Sequence, residues 1–176
     1  MMERWRIARR NRAIVEDIFQ AIVALTRQPR LYADLGVADT FSGRFEALSL
    51  HVFLFLRRCR SETGLEALAQ DLVDRFVADV DYTIRELGIG DQSVPKRMRK
   101  LTGVFYERVR VYHAAFDAAE PQPALAEALL SRAIELDAAA PRDAAAALAT
   151  YMIETDRRFG AIASKAILAG RLELTE

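Results

Sequence analysis

Three aspartates raise the question of chemistry: Asp71, Asp74 and Asp81. On a helix Asp74 and Asp81, seven residues apart, share a face, with Asp71 one turn back. Paired carboxylates can do general acid–base work or hold a hard cation. However, Arg75 precedes Asp79 by four residues and Asp81 precedes Arg85 by four. At that spacing ion pairs within the helix absorb much of the charge, and the run reads as a solvated or partner-facing surface. Gly88 and Gly90 look like the start of a dinucleotide fingerprint, which needs a strand before it, a third glycine and a helix directly behind. Here a helical pattern precedes and the third glycine is missing, so the pair reads as a helix cap and a tight turn.

The remaining reactive side chains are few. His51 and His113 are the two histidines, and a zinc site draws three or four donors. His51 lies in the most apolar segment and reads as a core histidine bonded to a neighbour. His113 sits on a helix flank with no acidic partner evident in the sequence. Cys59 is the one cysteine, which precludes an internal disulfide. Its neighbours Arg58 and Arg60 would lower its pKa if the thiol shared their surface; the alternative is an ordinary thiol at a helix end. No serine sits in a nucleophile motif. The residues therefore predict no catalytic set, no metal site and no cofactor.

The elements that must position these side chains are helical almost throughout. Helix one is predicted from about Arg10 to Arg27, with Ile14, Ile18, Ile22 and Leu25 on one face and Pro29 ending it. A loop or short turn follows, then a helix from about Gly43 to Arg60, apolar nearly all round and hence central. The third starts at the capping box Thr63-x-x-Glu66. Its stripe of Leu65, Leu68, Leu72, Phe76, Val80, Ile84 and Leu87 ends at Gly88. The fourth begins near Ser93, with Asp91 or Ser93 as cap. The fifth covers about Ala124 to Leu136, and the sixth begins after Pro141. The prediction is an all-α bundle of about six helices over residues 1–176, one domain, with a C-terminal helical pair packed on the front bundle. The prolines of residues 118–124 mark the weakest joint.

With 176 residues and equal numbers of acids and bases, the chain is not built as a whole to hold DNA. Locally, residues 1–12 carry +4, residues 62–91 carry −6 and residues 96–110 carry +5. The basic N-terminal tail, with Trp5 among its arginines, suits either an anionic membrane surface or solvent. Lys96, Arg97, Arg99 and Lys100 suit a phosphate or the acids of the preceding helix. The longest apolar stretch, Phe45 to Leu56, is too short for a bilayer crossing, which takes about 20 residues.

Two segments taken together carry a resemblance. The first is "LYADLGVADTFSGRFEALSLHVFLFLRR", Leu31 to Arg58; the second is "DVDYTIRELGIGDQSVPKRMRK", Asp79 to Lys100, followed by "FYERVRVY". In order and spacing they resemble the signature of the ubiquinol–cytochrome c chaperone family. Gly36, Asp39, Thr40, Gly43, Arg44 and Phe45 match the first block, with His51, Arg57 and Arg58 after them. Asp79, Asp81, Arg85, Glu86, Gly88, Gly90, Asp91 and Lys96 match the second. Ser42 and Glu107 depart from the pattern, where aspartate and glycine are common.

The resemblance implies a non-enzymatic, all-α assembly factor whose client is newly made cytochrome b of the ubiquinol–cytochrome c reductase complex. It also implies a small partner protein and a place near the ribosome. With no transit peptide evident, it implies a bacterial member in the cytoplasm, at the inner face of the membrane (the matrix side in a eukaryote). We expect the matched motifs to frame a groove for client or partner helices, with Leu31, Tyr32, Phe41 and Phe45 as its apolar floor. The competing expectation is a helical enzyme acting on an isoprenoid or other lipid, which needs Asp71, Asp74 and Asp81 turned toward a cavity.

Overall fold

The computed structural model describes residues 2–88, 90, 92–131, 136 and 139–173, with side chains from residue 11 onward. It is all-α: α1 Met2–Thr26, α2 Pro29–Ala33, α3 Phe41–Arg60, α4 Glu66–Glu86, α5 Val94–Phe116, α6 Pro121–Ser131, α7 Pro141–Ala161 and α8 Ser164–Ile167. Among the described residues the only β feature is an isolated bridge between Val37 and Leu136. The stretch "RVRVY", which alternates like a strand, lies inside α5. There the flanking 3.6-residue pattern wins.

α3 is the axle. It packs against α1, α4, α5 and α7, and Val52, Phe53, Leu54 and Phe55 are fully buried on successive residues. A helix surrounded on all sides must be apolar on all sides, and this one nearly is. Each phenylalanine of that run contributes about 2 kcal/mol by leaving water. The α4 stripe enters the same core from Leu65 to Ile84, with the Phe76 ring centred 4.7 Å from that of Phe105 of α5 and tilted 45° to it. The stripe stops short of its expected end, because Leu87 is exposed. α6 and α7 pair with each other; α6 leans on α5 and α7 on α3. The prolines around residue 121 open α6 directly, and a single hydrophobic cluster runs from Val15 to Leu172.

Several predicted ends move. α1 begins at Met2, well before Arg10, so the backbone of the basic tail is helical. The side chains before residue 11, and with them the membrane-or-solvent question for that tail, lie outside the described residues. Pro29, expected only to stop a helix, also starts the short α2. The Thr63 capping box does not form: Leu65 is the N-cap residue, and Glu66 instead accepts the Gly64 N–H at 2.7 Å. Ser93 occupies the N-cap of α5 without a side-chain cap bond, and Asp91 lies outside the described residues. Gly88 does adopt a positive φ of 71°, and its N–H bonds Arg85 at 3.0 Å, closing α4 as expected.

A candidate client groove beside the Gly36–Gly43 loop

The loop between α2 and α3 is held by its backbone. Gly36 takes φ 69°, which lets the Val37 N–H return to the Leu31 carbonyl at 3.0 Å. Thr40 caps α3 by accepting the Gly43 N–H at 3.0 Å. Gly43 lies flush against the Ala38 backbone, and a Cβ there would collide with the Ala38 carbonyl oxygen. On the lip, Arg44 donates to Asp39 at 2.6 Å, which holds the Asp39 carboxyl below its usual range. The Tyr32 hydroxyl donates to the Thr26 carbonyl at 2.8 Å and ties α2 to the end of α1. Burial raises the pKa of that hydroxyl.

Between this loop, the C-terminal end of α1 and the second half of α4 opens a groove of about 840 Å³. Val23, Tyr32, Phe41, Phe45, Leu48 and Val80 supply its apolar surface; Arg27, Asp39, Arg44 and Asp79 supply charge. Phe41 is 38% exposed although large and apolar. Tyr32, Phe41 and Phe45 are thus brought together. Leu31 is not: at 1% exposure it turns away into the core, because α2 is a helix and presents adjacent residues to different faces. Phe41 also borders a smaller recess of about 410 Å³, completed by Ile84, Arg97, Lys100 and Leu101.

The other matched residues lie elsewhere. Arg57 reaches Asp117 at 3.2 Å and Asp156 at 3.4 Å, and covers the Phe116 ring. Arg58 is buried, donating to the Ile162 carbonyl at 2.9 Å, to the Ser164 hydroxyl at 2.8 Å and to Glu62 at 3.0 Å. Arg58 thus joins helix ends inside the molecule, while Arg57 ties α3 to the end of α5 and to α7 nearer the surface. Asp79 pairs with Arg75 at 3.2 Å, and Asp81 with Arg85 at 2.7 Å, at the four-residue spacing of the sequence. Glu86, Gly88, Gly90 and Lys96 are exposed around the α4–α5 corner; Asp91 lies outside the described residues.

The side chains weighed for catalysis are accounted for as follows. Asp71 and Asp74 are exposed and border a recess together with Arg12, Glu16 and Arg75, but Asp81 is not part of it and is bound to Arg85, so the three do not face a common cavity. Among the described residues no three of His, Cys, Asp and Glu gather to hold a metal ion. His51 is fully buried. Its Nδ1–H donates to the Ala47 carbonyl at 2.7 Å, since a carbonyl only accepts; its Nε2 then accepts from the Tyr151 hydroxyl at 2.7 Å. Burial lowers its pKa to about 4. Cys59 is buried, and burial pushes its thiol up to about 12 against the pull of Arg58, so it is not the activated thiolate that two flanking arginines would make. His113 does have an acid nearby: Asp117, one turn on, shares a shallow recess with it, while burial lowers the His113 pKa.

Sequence reasoning missed a buried ion pair. Glu46 of α3 and Arg108 of α5 meet in two bonds of 2.7 and 3.1 Å, each side chain about 5% exposed. The signal was available: a carboxylate in the second turn of a largely apolar helix needs a cation inside the fold.

Comparison with known proteins assigns the family. The family model for the ubiquinol-cytochrome C chaperone matches residues 33–174. The crystal structure of the Cbp3 homolog from Brucella abortus is 42% identical, covers 100% of this chain and 97% of its own, and superposes with a TM-score of 0.83. No curated protein matches.

Proposed function

The chain belongs to the ubiquinol-cytochrome C chaperone family, and from that premise we propose that it binds newly made cytochrome b and assists assembly of the ubiquinol–cytochrome c reductase complex, without catalysing a reaction itself. The observation that carries this reading is the groove beside Phe41. A client destined for a bilayer offers apolar helices that must be covered before insertion. An amphipathic or apolar helix docks in a groove with an apolar floor and polar edges, and Val23, Phe41, Leu48 and Val80 between Arg27 and the Asp39–Arg44 pair form one. Among the described residues no helix is long and apolar enough to cross a membrane. We place the protein at the inner face of the cytoplasmic membrane, where the +4 charge of residues 1–12 suits anionic lipid.

The test is site-specific photocrosslinking in the native host, with the probe replacing Phe41 in the groove or Glu154 on the exposed side of α7. Cytochrome b should be captured from Phe41 and not from Glu154. Equal capture from both positions, or none from Phe41 in a host whose deletion strain still assembles the complex, would refute the reading.

A further inference from the structure

The groove and the recess beyond it form one apolar track, because Phe41 lines both. The charges along that track are not evenly disposed. Asp39 is taken by Arg44 at 2.6 Å, while Asp79 shares Arg75, at 3.2 Å, with Glu16, at 2.7 Å. The charges that form no ion pair among the described residues are Arg27 in the groove and Arg97 and Lys100 in the recess, all exposed. The charges on the track that lack an ion pair are therefore cations, and its lining of Arg27, Arg44, Arg97 and Lys100 against Asp39 and Asp79 is net positive by two.

Resting on the groove reading above, we propose that the track selects its occupant by charge: it takes an apolar helix flanked by carboxylates and disfavours one flanked by lysine or arginine. Two features argue for a helix over a lipid surface. The apolar side chains line a concavity, whereas a bilayer needs a protruding apolar face. The cations also fall on both sides of Phe41, Arg27 in the groove and Arg97 and Lys100 in the recess, so a helix seated across Phe41 would meet one toward each flank. Charge at such a rim sets specificity and on-rate more than total affinity, so the discrimination is modest and depends on salt.

The experiment uses the full chain and fluorescently labelled amphipathic Leu/Ala helices that differ only in glutamate or lysine flanks. Fluorescence anisotropy at low ionic strength should show the glutamate-flanked peptide bound about three- to tenfold more tightly, with the gap narrowing as salt is added. The double variant Arg97→Glu/Lys100→Glu should reverse the order of the two peptides, and circular dichroism checks that it stays folded. Equal binding of both peptides, with Phe41→Ser weakening both, overturns the charge selection and leaves the groove reading standing. No binding of either peptide overturns both. Phosphatidylglycerol vesicles supply a further arm: if they bind the wild-type chain and not the double variant, while the peptides show no preference, the cations serve lipid and the selection is refuted.

Discussion

Acid should cost this fold stability through His51. In the folded protein Nδ1–H is committed to Ala47, and Nε2 faces the donating hydroxyl of Tyr151. Protonating Nε2 would set two donors against each other inside a dry core, and burial accordingly lowers the pKa from 6.5 to about 4. The unfolded chain holds this proton more readily than the native one. Stability from this group is therefore intact above the unfolded pKa of 6.5 and falls as pH drops from there toward 4. The full penalty is about 3 kcal/mol, of which about 2 kcal/mol is reached by pH 5. Urea denaturation at a series of pH values measures it, with His51→Gln as reference. The variant is less stable at pH 7.5, yet its loss on acidification should be about 2 kcal/mol smaller at pH 5. The pKa of His113 is lowered in the same direction, but it is common to both proteins and cancels. Parallel curves, or a His51 imidazole titrating near 6.5 by NMR, would refute the argument.

Three further outcomes follow from buried contacts. Arg108→Leu should cost about 3–5 kcal/mol by leaving the Glu46 carboxylate alone in the core, while Glu46→Leu/Arg108→Leu should recover most of that loss; chemical denaturation of the set measures the coupling. Gly43→Ala should lower stability by about 1–3 kcal/mol, because its methyl group meets the Ala38 backbone and no flexible side chain can yield; thermal melting shows it, and Ser42→Ala next door, on an exposed side chain, should not. Cys59, with its thiol held near 12, should resist iodoacetamide in the native protein at pH 8 and react only on unfolding, as mass spectrometry can follow.

The helices were legible in the sequence because each carries a long apolar stripe, and a stripe from Leu68 to Ile84 admits one period only. Their ends were less so. Thr63 and Ser93 have the side chains of N-caps and make no cap bonds, because backbone geometry fixed elsewhere decides which amide each can reach. The groove was half legible. Tyr32, Phe41 and Phe45 were placed on it from the motif, but Leu31 could be assigned to the core only once Pro29–Ala33 was seen as a helix rather than a loop. Val23 and Val80 come from two other helices, α1 and α4, and only tertiary packing brings them to the same opening. The Glu46–Arg108 pair spans 62 residues, a separation that no local pattern reports.

Arg58 carries a consequence for the order of assembly. Its guanidinium sits at the end of the central helix, yet two of its acceptors, Ile162 and Ser164, lie more than a hundred residues downstream. While the chain is being made, this cation has to remain hydrated until α7 has been delivered. Because the buried seat is complete only then, the middle of the bundle is locked by the arrival of its last helices. Premature termination anywhere before Ile162 would remove these two acceptors, leave the guanidinium the Glu62 carboxylate, and uncover the end of the central helix, a ready mark for proteolysis.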